Sequence, residues 1–72
     1  MKNNIPVYRK AEKLTQKELA TKAGLSERNL QEIESGRQDP KTSMSLKIAK
    51  TLNKTVEDLF AVAIDETNNL SA

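Results

Sequence analysis

The sequence contains neither cysteine nor histidine. Without cysteine it can form no disulfide and no thiolate metal site. Without histidine it lacks the usual general base of nucleophilic catalysis, and no glycine-rich phosphate loop or paired-carboxylate cleft stands in for one. These absences argue against an enzyme, and nothing in the sequence indicates a metal ion, a cofactor or a small-molecule ligand.

Long hydrophobic runs are also missing. No stretch approaches the roughly 18 apolar residues that a membrane span requires. The polar start, Met1 to Asn4, lacks the apolar segment of a signal peptide. We therefore expect a cytoplasmic protein with no membrane partner. With one Tyr, one Phe and no Trp in 72 residues, the chain can build only one small core.

Charge is distributed unevenly along the chain. The net charge is only +2, but all twelve basic residues lie between Lys2 and Lys54. Four acids and no base follow from Glu57 onward. A basic body with an acidic end suits a surface that meets a polyanion on one side. Small domains also acquire uneven charge by chance, so this pattern alone does not decide the function.

Apolar spacing and helix start and stop residues predict five short helices and an all-α fold. The first four helices span residues 5–13, 16–23, 27–35 and 43–52, and a last helix carries Val56, Leu59 and Phe60. Expected inward positions are Tyr8, Ala11, Leu14, Leu19, Ala20, Ala23, Leu30 and Ile33. Residues 1–64 are expected to form one domain, and residues 65–72 a flexible polar tail.

Helix boundaries are marked by capping residues. Thr15 with Glu18, and Thr55 with Asp58, have the spacing of capping boxes. Ser26 and Thr42 are the expected caps of the third and fourth helices. The expected left-handed helix ends are Gly24, Gly36 and Asn53.

The second and third helices are joined by the short turn Gly24-Leu25-Ser26. A turn this tight makes two helices cross steeply and leaves one of them exposed. This arrangement is typical of a helix-turn-helix, whose second helix enters the major groove of DNA.

Six sequence blocks resemble the phage-repressor/Cro family, the XRE-type regulators. The blocks are L-T-Q-K-E-L-A at 14–20, A-G-L-S at 23–26, I-E-S-G-R at 33–37, D-P at 39–40, L-K-I-A-K-T-L-N at 46–53 and V-E-D-L-F at 56–60. The resemblance implies a five-helix, lambda-repressor-like domain that binds double-stranded DNA and regulates transcription. It also implies a repressor that acts as a homodimer on a symmetric operator, encoded by a bacterium or phage and associated with the nucleoid.

The resemblance also assigns expected DNA contacts. Positions that face base edges are Glu27, Arg28 and Glu32, although Glu27 could simply serve the helix N-terminus. Expected contacts to the DNA backbone are Thr15, Gln16, Asn29, Gln31, Ser35, Arg37 and Lys41. Of these, Asn29 and Gln31 lie on the flanks of the helix and could instead face solvent.

Two further expectations follow from matched positions. Arg9 and Glu34 match a partly buried salt bridge between the first and third helices; the alternative is an exposed and weak pair. Lys13 stands where the family often has glycine, so we expect a small local strain where the first helix ends.

A dimer requires a self-complementary surface, and the apolar residues of the last two helices are the candidates. The expected interface is Met44, Leu46, Phe60, Val62 and Ile64, with Ile48, Leu52 and Leu59 in the monomer core. Residues 60–64 suit either a strand across the two-fold axis or an extended helix. The same stretch could instead close the monomer core.

A protein-interaction or antitoxin-like module is the alternative function. The acidic residues of the third helix and of the C-terminal end favour it, because carboxylates near phosphates are repelled. In that case the exposed helix would meet a protein instead of DNA.

Overall fold

A computed structural model describes residues 3–61, which form five helices and no strand within that range. The helices are α1 (Ile5–Ala11), α2 (Gln16–Ala23), α3 (Glu27–Glu34), α4 (Thr42–Leu52) and α5 (Val56–Phe60). The predicted all-α, five-helix fold is confirmed. None of the helices in this part of the chain is long and apolar enough to span a membrane.

Three helices begin at the predicted caps. Thr15 and Thr55 each form a complete capping box, and the Ser26 hydroxyl accepts a hydrogen bond from the Asn29 N–H. The predicted Thr42 cap is wrong. Lys41 has the extended backbone of a cap residue, and its carbonyl oxygen accepts from the Ser45 N–H. Thr42 is therefore already helical, where its side chain cannot cap α4.

Four helices are followed, within two residues of their last residue, by a residue with positive φ. Gly24, Gly36 and Asn53 adopt the left-handed backbone as predicted, and Lys13 does so as well, with φ of 59°. The first helix therefore ends at Ala11, two residues earlier than predicted. The Leu14 N–H then donates to the Arg9 carbonyl oxygen at 3.1 Å, which satisfies a free helix-end acceptor.

The core lies between the inward faces of all five helices. α2 packs on both α3 and α4, and α5 packs on α4. Ala11, which was expected to face inward, is exposed, because α1 ends there. The buried apolar residues are Ile5, Leu19, Ala20, Ala23, Leu30, Ile33, Ile48, Ala49, Leu52 and Leu59.

Two asparagines before α1 tie both ends of the fold together, a role that the sequence did not reveal. The Asn4 N–H donates to the Leu59 carbonyl oxygen at 2.7 Å, and its amide nitrogen donates to the Asp58 carbonyl oxygen at 3.0 Å. The Asn3 amide nitrogen donates to the Ile33 carbonyl oxygen at 2.8 Å. These bonds hold the last turn of α3 and the end of α5 against the start of α1.

Candidate nucleic-acid interface

The turn between α2 and α3 leaves one face of α3 open to solvent. Gly24 adopts φ of 77°, and the Leu25 N–H returns to the Ala20 carbonyl oxygen at 2.8 Å. A glycine takes this left-handed backbone without the steric penalty of a side chain. α3 then packs inward through Leu30 and Ile33, and its opposite face is polar.

The three expected base-reading residues lie on α3. Glu27 and Arg28 are exposed in its first turn, and Glu32 is half-buried one turn further on. Arg28 and Glu32 are four residues apart, so they share a helix face. Glu27 lies at the helix N-terminus, where the backbone dipole favours a carboxylate. The arrangement therefore presents one guanidinium fork and two carboxylates on an exposed helix.

Gln16 is the first residue of α2 and is half-buried. Its amide nitrogen donates to Oε1 of Glu34 at 3.0 Å. That bond ties the N-terminus of α2 to the end of α3. An amide nitrogen carries two N–H groups, so one donor is left for another acceptor.

Arg9 and Glu34 form an ion pair between α1 and α3. Arg9 Nε lies 2.7 Å from Glu34 Oε2, and the two side chains are 11% and 6% exposed. A second guanidinium nitrogen reaches Glu34 Oε1 at 3.2 Å, and a third donates to the Leu14 carbonyl oxygen at 2.8 Å. The pair is buried and geometrically defined, so the alternative of an exposed pair does not apply.

The hydroxyl and the backbone N–H of Thr15 both form hydrogen bonds within the capping box of α2. Its hydroxyl accepts from the Glu18 N–H at 3.0 Å, and its own N–H donates to the Glu18 carboxylate at 2.8 Å. The hydrogen bond from the Thr15 backbone N–H, followed by the interaction of the Thr15 side chain with the Glu18 carboxylate, lowers the pKa of Glu18 below its ordinary value of 4.5. Because the capping box fixes the N-terminus of α2, it also fixes the position of Gln16, the first residue of that helix.

The remaining candidates for DNA-backbone contacts surround α3. Arg37 and Lys41 are exposed in the loop that follows it, and Gln31 is exposed on the helix. Asn29 is half-buried. The Ser35 hydroxyl donates to the Glu32 carbonyl oxygen at 3.0 Å, which leaves only its lone pairs for an outside partner. A phosphate, which offers acceptors, would have to displace that bond.

The expected dimer residues do not form one surface within the described part of the chain. Leu46 is 56% exposed, whereas Met44 and Phe60 are half-buried and pack against the core. Leu46 lines a groove between α4 and α5, while Phe60 lines a separate cleft with Pro40. The physical reason on α4 is that Met44 and Leu46 are two positions apart, which places them about 200° apart around the helix.

Several expectations fall on residues that lie outside the described range. These are the interface positions Val62 and Ile64, the choice between strand and helix for the stretch that ends at residue 64, and the polar tail of residues 65–72.

Two surface features were not predicted from the sequence. One is the contribution of Val56 and Glu57 to the lining of the groove beside Leu46. The other is a basic cleft lined by Lys22, Lys47 and Lys50. The basic cleft could have been predicted from the spacing of Lys47 and Lys50, which places both lysines on one face of the same helix. Between residues 3 and 61, no group of acidic side chains is placed to hold a metal ion.

Comparison with known proteins gives one family and several relatives. The helix-turn-helix family model HTH_3 matches residues 7–59. An uncharacterized HTH-type transcriptional regulator of Methanocaldococcus jannaschii is 41% identical over 66 residues, which cover 92% of this chain and 100% of that protein. Two HTH-type transcriptional regulators of Archaeoglobus fulgidus are 35% and 32% identical, each over 83% of this chain and over 86% and 84% of their own lengths.

These similarities support a role in DNA-binding transcription regulation, and the family is one of regulators and not of enzymes. The expected bacterial or phage origin gains no support, because all three relatives are archaeal.

Proposed function

The chain belongs to the helix-turn-helix family HTH_3, and on that basis we propose that it is a sequence-specific regulator that places α3 in the major groove of double-stranded DNA. The main observation in support of this proposal is the exposed polar face of α3. The Arg9–Glu34 ion pair holds α3 against α1. A rigid helix with polar side chains on its free face fits the major groove.

Base reading is assigned to three residues of α3. Arg28 presents two parallel donors that match O6 and N7 of guanine, while Glu27 and Glu32 can accept from the amino group of cytosine. Both Glu27 and Arg28 are exposed in the first helical turn, the part of a recognition helix that reaches base edges.

DNA-backbone contact is assigned to residues that flank α3. Gln16 has a free N–H, and Arg37 and Lys41 are exposed in the following loop. These groups can fix the register of α3 without reading sequence. Thr15, Asn29, Gln31 and Ser35 complete the expected set, with Thr15 acting through its cap.

The test is selection of bound sites from a random DNA pool, followed by affinity measurements over a range of salt concentrations. We expect a defined motif and an affinity that falls steeply with salt, because bound phosphates release counterions. Binding that does not depend on salt, or a pool without enrichment, would contradict the proposal.

We further propose that the regulator is a repressor that acts as a homodimer. One recognition helix covers about half of a site, and a dimer places two such helices about 34 Å apart on one DNA face. The selected motif is therefore expected to be a palindrome. Reporter expression should fall when this motif overlaps a promoter; a rise would assign activation instead.

A protein-interaction module is the second candidate, and the carboxylates of α3 are the observation that favours it. Glu34 does not support this candidate, because its carboxylate is buried against Arg9. Only Glu27 and Glu32 remain for an outside partner on that helix. Capture of one specific protein by the free chain, together with an unenriched DNA pool, would favour this candidate.

A further inference from the structure

We propose that the basic cleft between α2 and α4 is a docking site for an acidic, extended segment of a partner protein. Carboxylates of that segment pair with Lys22, Lys47 and Lys50, which line the cleft. No residue of α3 lines it. The inference therefore goes beyond the proposed function, because it places a second partner on a surface that is separate from the recognition helix.

The basic cleft carries positive charge on both of its walls. Its volume is about 510 Å³, within the range of about 300–1,000 Å³ that is typical of ligand-binding clefts. Lys22 belongs to the α2 wall, whereas Lys47 and Lys50 lie three positions apart on α4 and share a face of that helix. No acidic residue is among the lining residues, which are Thr21, Lys22, Ala23, Gly24, Lys47, Lys50 and Thr51.

All three lysines of the cleft are available to a partner. They are exposed, and within residues 3–61 none of them forms an ion pair. Glu18 lies one turn before Lys22, but its carboxylate accepts from the Thr15 N–H at 2.8 Å and lies beyond ion-pair distance of Lys22. Three neighbouring ammonium groups with no acid between them favour an occupant that carries several negative charges.

Two helices end at the cleft with carbonyl groups that accept no hydrogen bond. The last four carbonyl oxygens of a helix have no partner inside it. The Gly24 and Leu25 N–H groups satisfy two of these in α2, which leaves the carbonyl oxygens of Lys22 and Ala23 without a donor among residues 3–61. The Thr51 carbonyl oxygen, at the end of α4, also lacks a donor in that range. The lining of the cleft therefore combines ammonium groups with hydrogen-bond acceptors.

This combination favours an acidic polypeptide over a nucleic-acid backbone. The C-terminus of a helix carries a partial negative charge, which repels an anion placed against it. A phosphodiester brings negative charge but no donor, whereas a polypeptide brings carboxylates for the lysines and backbone N–H groups for the carbonyl oxygens. Those N–H groups are free only where the segment forms no helix of its own, so the docked segment is extended.

The position of the cleft allows DNA and the acidic segment to be bound together. The cleft lies at the C-terminal end of α2, whereas Gln16, the proposed phosphate contact, is the first residue of that helix. For a helix of this length the two ends are about 10 Å apart. A segment docked in the cleft therefore leaves the polar face of α3 open.

The test uses a short, fluorescently labelled peptide of alternating glutamate and alanine as the probe. Its binding to the full chain is measured by fluorescence anisotropy at low ionic strength, where exposed ion pairs are least screened. We expect a variant that combines Lys22→Gln, Lys47→Gln and Lys50→Gln to bind the peptide at least about tenfold more weakly than the wild type. The reason is that it removes three ion pairs, each worth up to about fivefold in affinity.

Matched controls separate the cleft from general charge effects. A variant that combines Lys10→Gln, Lys13→Gln and Lys17→Gln removes the same charge from exposed lysines outside the cleft, and it should bind the peptide like the wild type. A peptide with an N-methylated backbone keeps every carboxylate but lacks the N–H donors, so it should bind several-fold more weakly than the probe. Thermal unfolding checks that both variants are folded.

The inference fails if the wild type does not bind the peptide, if the control variant loses as much affinity as the cleft variant, or if N-methylation has no effect. DNA binding by the same samples is scored separately. A cleft variant that loses more DNA affinity than the control variant would assign the cleft to the DNA interface and overturn the inference. Peptide binding that depends on the cleft lysines supports it even if no sample binds DNA, in which case only the proposed function has failed.

Discussion

The side-chain amide nitrogen of Gln16 lies 3.0 Å from Oε1 of Glu34, the same carboxylate that pairs with Arg9. One buried carboxylate thus connects the end of α1, the start of α2 and the end of α3. The packing of these three helices therefore fixes the position of the Gln16 amide.

Gln16→Ala is expected to lower DNA affinity without changing the selected motif, because a phosphate contact fixes register and reads no base. Titration of the selected site and repeated selection with the variant provide the two measurements. Lys17→Ala, at the next exposed position of α2, is the control for loss of a side chain nearby. A changed consensus with Gln16→Ala would contradict the phosphate role.

Arg28→Ala is expected to weaken the specific site by about 1–3 kcal/mol and to relax the preference at one base pair. Arg37→Ala should weaken binding to all sequences alike, because its expected partner is the DNA backbone. Competition between specific and random duplexes distinguishes these outcomes. If Arg28→Ala leaves the motif unchanged, Arg28 does not read a base.

Arg9→Met and Glu34→Leu should each lower the free energy of unfolding by about 3 kcal/mol, because each leaves one buried charge without its partner. The double variant should lose clearly less than the sum of the two. Denaturant unfolding of all four proteins gives the coupling energy. Additive losses would show that the two side chains act independently.

Lys13→Gly should stabilise the fold by about 0.5–1 kcal/mol, because Lys13 holds a left-handed backbone that glycine adopts without a steric penalty. Lys10→Gly, inside α1, is the control and should destabilise by about 1 kcal/mol. Thermal unfolding reports both. A loss of stability with Lys13→Gly would mean that the lysine side chain contributes more than its backbone costs.

Acid should weaken the fold partly through the two capping boxes. Hydrogen bonds from the Thr15 and Thr55 backbones are the first cause that lowers the pKa of Glu18 below 4.5 and that of Asp58 below 3.8. Because each folded-state pKa is depressed, the stabilisation is present above the unfolded-state pKa and is lost as the pH falls through the folded-state value.

A Glu18→Gln, Asp58→Asn double variant removes these two titrations. We expect its stability to fall less than that of the wild type between neutral pH and a pH of about 3. Melting curves across this range provide the comparison. Equal losses in both proteins would assign the acid sensitivity to other carboxylates.

Local features of this protein could be read directly from its residues. The capping boxes at Thr15 and Thr55 and the left-handed ends at Gly24 and Asn53 depend on neighbours within four positions. Such interactions need no knowledge of the fold. The prediction failed at Thr42 because α4 begins one residue earlier than expected. Lys41 has the extended backbone of a cap residue, and its side chain makes no capping hydrogen bond.

Contacts between residues that are distant in sequence depend instead on how the helices pack. The pairing of Gln16 with Glu34, the bonds from Asn4 to the end of α5, and the groove beside Leu46 join residues that are distant in sequence. The sequence by itself determined the helices, the caps at Thr15, Ser26 and Thr55 and the helix-turn-helix, because these depend on local hydrogen bonds and apolar spacing. The Arg9–Glu34 pair was expected from matched positions. Which other polar groups meet and which apolar residues stay exposed was decided only by the tertiary structure, because helix packing sets the relative rotation of each helix.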